Sequence, residues 1–154
     1  MAKLLKDLYN NEYIQTLSSE IKKVYPLFDT QKFESDVFNE EFYTKELKQR
    51  MRHISTTLGN FLPFSYEKSI DILREVFQNI SPKFSLQNII FQDFVELYGL
   101  ENFKISMSAL EVFTVGSTSE FAIRQFIIKY PKQSMTQMQK WALSNNEHVR
   151  RLSS

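Results

Sequence analysis

Ser144-Asn-Asn-Glu-His-Val-Arg-Arg-Leu152 and, one short helix earlier, Ser117-Thr-Ser-Glu-Phe-Ala-Ile-Arg-Gln-Phe126 share the spacing Ser-x-x-Glu-x-x-x-Arg. In each, the serine is placed to cap a helix whose third residue is Glu120 or Glu147. Arg124 or Arg151 then follows one turn later on the same face. Between the two stretches there is room for one helix, over about 135–143. The two capped helices are therefore expected to be alternate members of an antiparallel series, to run parallel to each other and to present their N-termini on one surface. Two helix N-termini, two carboxylates and several arginines suit an anionic ligand that also carries a cationic feature.

Working outward, the same helical spacing recurs through the chain. Ile14, Leu17, Ile21 and Val24 form one apolar stripe, and Leu47, Met51, Ile54, Leu58 and Phe61 form the next, each stepping by three or four. Pro26 and Pro63 interrupt the pattern. Asp29 is expected to cap a segment over 30–38, and Ser65 a helix over 66–79. After Pro82 a segment over 86–98 carries Ile90, Phe94 and Leu97 and ends at Gly99. A helix over 101–115 carries Phe103, Met107 and Leu110 and closes at Gly116. The remaining helices are expected over 118–130, stopped before Pro131, over 135–143, and from near Asn146. Only three Gly and four Pro in 154 residues argue against a β-rich fold, which needs turn residues at every reversal. The expectation is all-α: eight or nine helices, paired antiparallel and stacked as a curved α-solenoid. The polar link Asn145-Asn-Glu-His followed by Val149-Arg150, after a helix holding Trp141, looks like the start of a HEAT-type second helix. The length fits one domain over 1–154. That domain is expected to be truncated at its C-terminus, because the last helix has barely begun at Ser154.

Composition narrows the function. The net charge of +1 hides an asymmetry, since residues 1–116 hold 13 Lys/Arg against 16 Asp/Glu while 117–154 hold 6 against 2. The basic excess thus sits at the end that carries both motifs. With no cysteine there are no disulfides, thiolate nucleophiles or Cys-based zinc sites. No apolar run approaches the ~20 residues of a membrane-spanning helix, and Met1–Asn10 lacks a signal-peptide core. A soluble, cytoplasmic protein without a membrane partner is expected.

Few residues have chemistry to offer. Glu120 reads either as the reciprocal half of a capping box with Ser117 that also pairs with Arg124, or as a carboxylate stabilising positive charge in a ligand or orienting a water. Glu147 invites the same two readings. Arg124, Arg150 and Arg151 read as a fork for phosphate oxygens or as intrahelical partners of the glutamates. Trp141, at helical spacing from Met138, is read as core. His53 and His148 have no second ligand at metal spacing, and there is no Gly-rich phosphate loop, so no metal or other cofactor is expected.

Ser119-Glu-Phe-Ala-Ile-Arg124 with Phe126, and Asn146-Glu-His-Val-Arg-Arg-Leu152, resemble the two signature segments of the AlkC-type DNA alkylation-repair glycosylases, relatives of the AlkD type built on HEAT-like repeats. Glu46-Leu-Lys-Gln-Arg-Met-Arg-His-Ile54 and Phe94-Val-Glu-Leu-Tyr-Gly-Leu100 agree with them in style and order. The resemblance implies hydrolysis of the N-glycosidic bond of cationic alkylated purines such as 3-methyladenine in double-stranded DNA, without turning the base into a deep pocket. It makes Glu120 the leading catalytic candidate with Glu147 beside it, and makes Arg124, His148, Arg150 and Arg151 candidates for contacts to DNA. Two departures stand out: Gln125 replaces a common proline, and the Glu-Gly-x-Arg-Pro-Arg-Leu-Pro-Trp segment that follows in the family is absent here. The chain is expected to be the N-terminal portion of such an enzyme, weak or inactive alone, with its last helix frayed or self-associating with a second copy. The alternative is a non-catalytic HEAT-like module that binds DNA or protein.

Overall fold

The computed structural model describes residues 5–80 and 85–154. Pro82, read above as a break, lies outside them. Among the described residues there are nine α-helices and no strand, so the chain is all-α. The helices fall into two compact units, Met1–Ser81 and Pro82–Ser154.

In the first unit α1 spans Asn11–Val24, α2 Thr30–Val37, α3 Leu47–Phe61 and α4 Tyr66–Ile80, with 3-10 turns at Leu5–Leu8 and Glu40–Thr44. Helix α1 packs on α2 and α4, and α2 on α3. Their stripes close a core of Ile14, Leu17, Ile21, Ile54, Leu58, Leu73 and Val76. Phe28, Phe33 and Phe61 meet as an aromatic cluster, Phe61 edge-on to the other two, with ring centroids 5.1 to 6.1 Å apart. Asp29 caps α2 by accepting from the Lys32 amide at 3.1 Å, and Ser65 accepts from the Lys68 amide at the start of α4. Both caps are those expected.

Arg50 and His53 of α3 reach backbone carbonyls outside the helix. Arg50, only 5% exposed, donates from Nε to the Lys45 carbonyl at 3.0 Å and from Nη2 to the Tyr43 carbonyl at 3.3 Å. Its guanidinium carbon lies 4.6 Å from the Phe42 ring centroid, and Asp7 stands 3.6 Å away. A buried charge is tolerable because these groups take its N–H donors and its plane stacks on an aromatic face. His53 Nε2 lies 3.0 Å from both the Asp36 and Val37 carbonyls. Since both partners only accept, Nε2 carries the proton.

In the second unit a 3-10 turn at Leu86–Asn88 leads into α5, Ile89–Tyr98; α6 spans Phe103–Phe113, α7 Glu120–Lys129, α8 Pro131–Trp141 and α9 Glu147–Leu152. Helix α5 is central, packing on α6 and α7, and every residue from Ile89 to Val95 is buried. Tyr130 pins the junction of α7 and α8 by donating its hydroxyl to the Leu100 carbonyl at 2.7 Å, and Lys129 pairs with Glu101 beside it. That ion pair raises the Lys129 pKa, the Glu101 hydrogen bond being the main cause. Helix α8 packs on α7 and α9. Trp141 is 1% exposed, as its core reading required.

One helix start and the geometry of one cap differ from those expected. Helix α8 starts at Pro131 and not near 135, because proline suits the first helical position, where no amide hydrogen is needed. Gly99 does end α5, but at φ −108°, so it supplies no left-handed cap. No helix of the described residues is long and apolar enough to cross a membrane.

Candidate functional site

The loop between α6 and α7 is held from behind by α5. Gln92, buried at 1% exposure, donates from Nε2 to the carbonyls of Phe113 and Ser117, both at 2.9 Å. Asn88 Nδ2 and the Ser85 amide donate to the Gly116 carbonyl at 3.3 and 2.8 Å. The backbone leading into α7 thus finds donors in the buried layer, and the start of that helix is fixed in direction.

The expected capping boxes are not formed. Glu120 is the first residue of α7 and not the third, and Ser119 is its N-cap without a side-chain capping bond. Ser117 is buried, Ser119 Oγ turns to the Leu110 carbonyl at 3.4 Å, and Thr118 Oγ1 accepts from the Glu120 amide at 3.1 Å. In α9 the cap is Asn146, whose Oδ1 accepts from the amides of His148 at 2.9 Å and Val149 at 3.3 Å. Ser144 lies two residues before it and accepts from the Asn146 amide. In both stretches a residue nearer the helix outcompetes the serine, and both glutamates move to the first turn, where a carboxylate meets the positive end of the helix dipole.

A cleft of about 340 Å³ opens over these helix starts, lined by Thr114, Thr118 and Glu120 on one side and by His148, Arg151, Leu152 and Ser154 on the other. The structure thus brings Glu120, His148 and Arg151 together. Glu120 Oε1 takes a hydrogen bond from Arg124 Nη2 at 2.6 Å; both side chains are well exposed, at 61% and 59%. Arg124 also lies 5.5 Å from the Phe121 ring centroid. Glu147 is not part of the lining: its carboxylate is 71% exposed and stands 4.0 Å from His148 Nε2. Arg150 turns back to donate to the Ser144 carbonyl at 2.8 Å, which braces the α8–α9 link. Arg124 therefore has the intrahelical partner anticipated for it, whereas no ion pair joins Arg151 to Glu147 among the described residues. No group of three or more His, Asp or Glu side chains is gathered as for a metal ion among those residues. Gln92 and Asn88 were missed in the sequence; their only signal was a pair of amides inside an otherwise buried run.

No protein-family model matches the chain. It is 39% identical over 151 residues to the uncharacterized protein YhaZ of Bacillus subtilis (strain 168), covering 97% of this chain and 41% of that protein. Among solved structures it matches the Pseudomonas fluorescens alkylpurine DNA glycosylase AlkC bound to DNA containing an abasic site analog, with a TM-score of 0.91 and 32% identity over 100% of this chain. The chain spans 42% of the length of that glycosylase. Over its whole length, then, the chain has the AlkC-type, HEAT-like helical fold.

Proposed function

We propose that the chain serves DNA alkylation repair as part of a longer glycosylase that releases cationic alkylated purines, such as 3-methyladenine, from duplex DNA. The observation that carries this reading is the placement of Glu120 on one wall of an open cleft with Arg151 and His148 on the other, in a chain whose structural likeness to a DNA-bound alkylpurine glycosylase runs end to end. A cationic base already weakens its own glycosidic bond. The C1′–N bond breaks, its electron pair goes to the departing base, which leaves neutral, and a water oxygen bonds to C1′ as its proton is lost. Glu120 Oε2 faces the sugar to stabilise the oxocarbenium-like charge and orient that water, while Oε1 stays with Arg124. Arg151 and His148 take backbone phosphates, and the base is not turned into a deep pocket, unlike the usual mode of enzymes acting on bases.

The test is release of free 3-methyladenine from methylated duplex by the chain and by a form extended past Ser154. In an active form Glu120→Gln is expected to cut release at least tenfold, about 1.4 kcal/mol in transition-state energy. Release undiminished in that variant sinks the assignment of Glu120, and no release by either form sinks the enzyme reading. The ion pair that already occupies half of the Glu120 carboxylate favours the second reading, a module that grips DNA without cutting the bond.

A further inference from the structure

Two links of the first unit carry large apolar side chains into solvent. Leu27 is 82% exposed and Phe64 fully so. Each follows a proline, in Tyr25-Pro-Leu-Phe28 and Leu62-Pro-Phe-Ser65. Neither link is loose. The first is a turn closed by the Phe28 amide on the Tyr25 carbonyl at 3.0 Å, with Pro26 at the position whose φ the ring presets, and Lys22 Nζ donates to the Phe28 carbonyl at 3.0 Å. In the second, Ser69 Oγ donates to the Pro63 carbonyl at 2.7 Å, and Ser65 accepts from the Lys68 amide. The two links leave the core side by side: Phe28, next to Leu27, and Phe61, the last residue of α3, have ring centroids 6.1 Å apart. A lone exposed leucine or phenylalanine is ordinary on a surface, but two of them on neighbouring, hydrogen-bonded proline links make a presented apolar face. Because these links are already held, little backbone freedom is left to lose on docking.

We propose that this face docks on the same face of a second copy of the chain, forming a weak two-fold dimer through Leu27 and Phe64. The rim identifies the partner. Glu67 and Lys68, in the first turn of α4 just after Phe64, are exposed, and neither side chain enters an ion pair among the described residues, whereas the pairs Lys23–Glu20 and Lys32–Asp36 on α1 and α2 are closed. Adjacent opposite charges are self-complementary across a two-fold axis, where Glu67 of each copy meets the partner's Lys68. An anionic lipid surface would select an excess of cations, which this mixed rim lacks. Phe64 offers roughly 200 Å² and Leu27 somewhat less, so two copies together bury roughly 700 Å², short of the ~1,200 Å² at which stable interfaces begin. The dimer therefore forms at high concentration and dissociates in dilute solution. This inference does not depend on the proposed part in DNA repair.

The experiment is sedimentation equilibrium of the full 154-residue chain from micromolar to millimolar concentration. The weight-average mass is expected to rise from one chain toward two. Phe64→Ser with Leu27→Ser should weaken association roughly tenfold or more, and should leave the melting curve in place because both side chains are already in water. Glu67→Lys alone should also weaken it, by setting like charges opposite each other. Adding Lys68→Glu to that variant should restore association, as a contact between two copies of this rim requires; failure to restore it would overturn the two-fold docking. A chain that stays monomeric throughout overturns the proposal. So does association that survives loss of both apolar tips, or that is abolished instead by Ile128→Ser with Leu143→Ser, exposed apolar residues of the second unit. Phe64-dependent binding to phosphatidylserine vesicles by a chain that does not self-associate would give the face to a membrane surface, and overturns it likewise.

Discussion

Arg50 and Arg124 present the same group in opposite circumstances. Arg50 is buried and satisfies two carbonyls at the end of the Glu40–Thr44 turn, so Arg50→Met should leave those acceptors bare and cost roughly 2 kcal/mol. Lysine there should restore little, lacking the planar fork that reaches both carbonyls and stacks on Phe42. Arg124 is exposed and bonded to Glu120, and Arg124→Gln should move stability by less than about 0.5 kcal/mol. Urea unfolding of the two variants checks both numbers. Tyr13 adds a pH effect, because burial pushes its hydroxyl well above the usual tyrosine range. The folded chain thus holds that proton where the unfolded chain releases it. Stability from this group is complete below about pH 10 and declines as pH rises further, and Tyr13→Phe should blunt that alkaline loss.

Among the elements, α9 is short and depends heavily on its cap. With six residues it is too short to persist alone, and Asn146 satisfies two of its amides. Asn146→Ala should cost about 1 kcal/mol and be felt first as faster amide exchange at 148–152. In the parent chain, protection at 147–152 is expected to fall below that at 121–129; equal protection in a monomeric sample would refute the expectation of a frayed end. The stripes of α1, α3, α5 and α6 were legible because a period of three or four survives any detail of packing, and Asp29 and Ser65 because each stands immediately before its helix. The caps of α7 and α9 were misread because Ser117 and Ser144 have polar rivals within two residues, and proximity to the first turn decides between them. The α5 lock on the 113–117 loop was illegible for a different reason. Gln92 meets carbonyls 21 and 25 positions away, and no local spacing encodes that. Glu120, His148 and Arg151 were named from the sequence and do share a cleft; that Glu147 and Arg150 lie apart from it depends on the way a first-turn position points each side chain.

At the scale of the whole molecule, six Lys/Arg against two Asp/Glu over 117–154 predict weak, steeply salt-dependent binding to undamaged duplex. Tight binding with a flat salt response, measured by anisotropy, would contradict this. The burial of Trp141 has one more consequence. It is the chain's only tryptophan, it is the last residue of α8, the helix that packs on α9, and its indole Nε1 has no hydrogen-bond partner. Intrinsic emission excited at the red edge therefore comes from one apolar spot at the C-terminal end, and its colour reports the wetness of that spot alone. Loosening of α9 would shift the spectrum to the red while circular dichroism stayed nearly constant, which turns the protein's own chromophore into a gauge for anything that docks on, or continues from, its last helix.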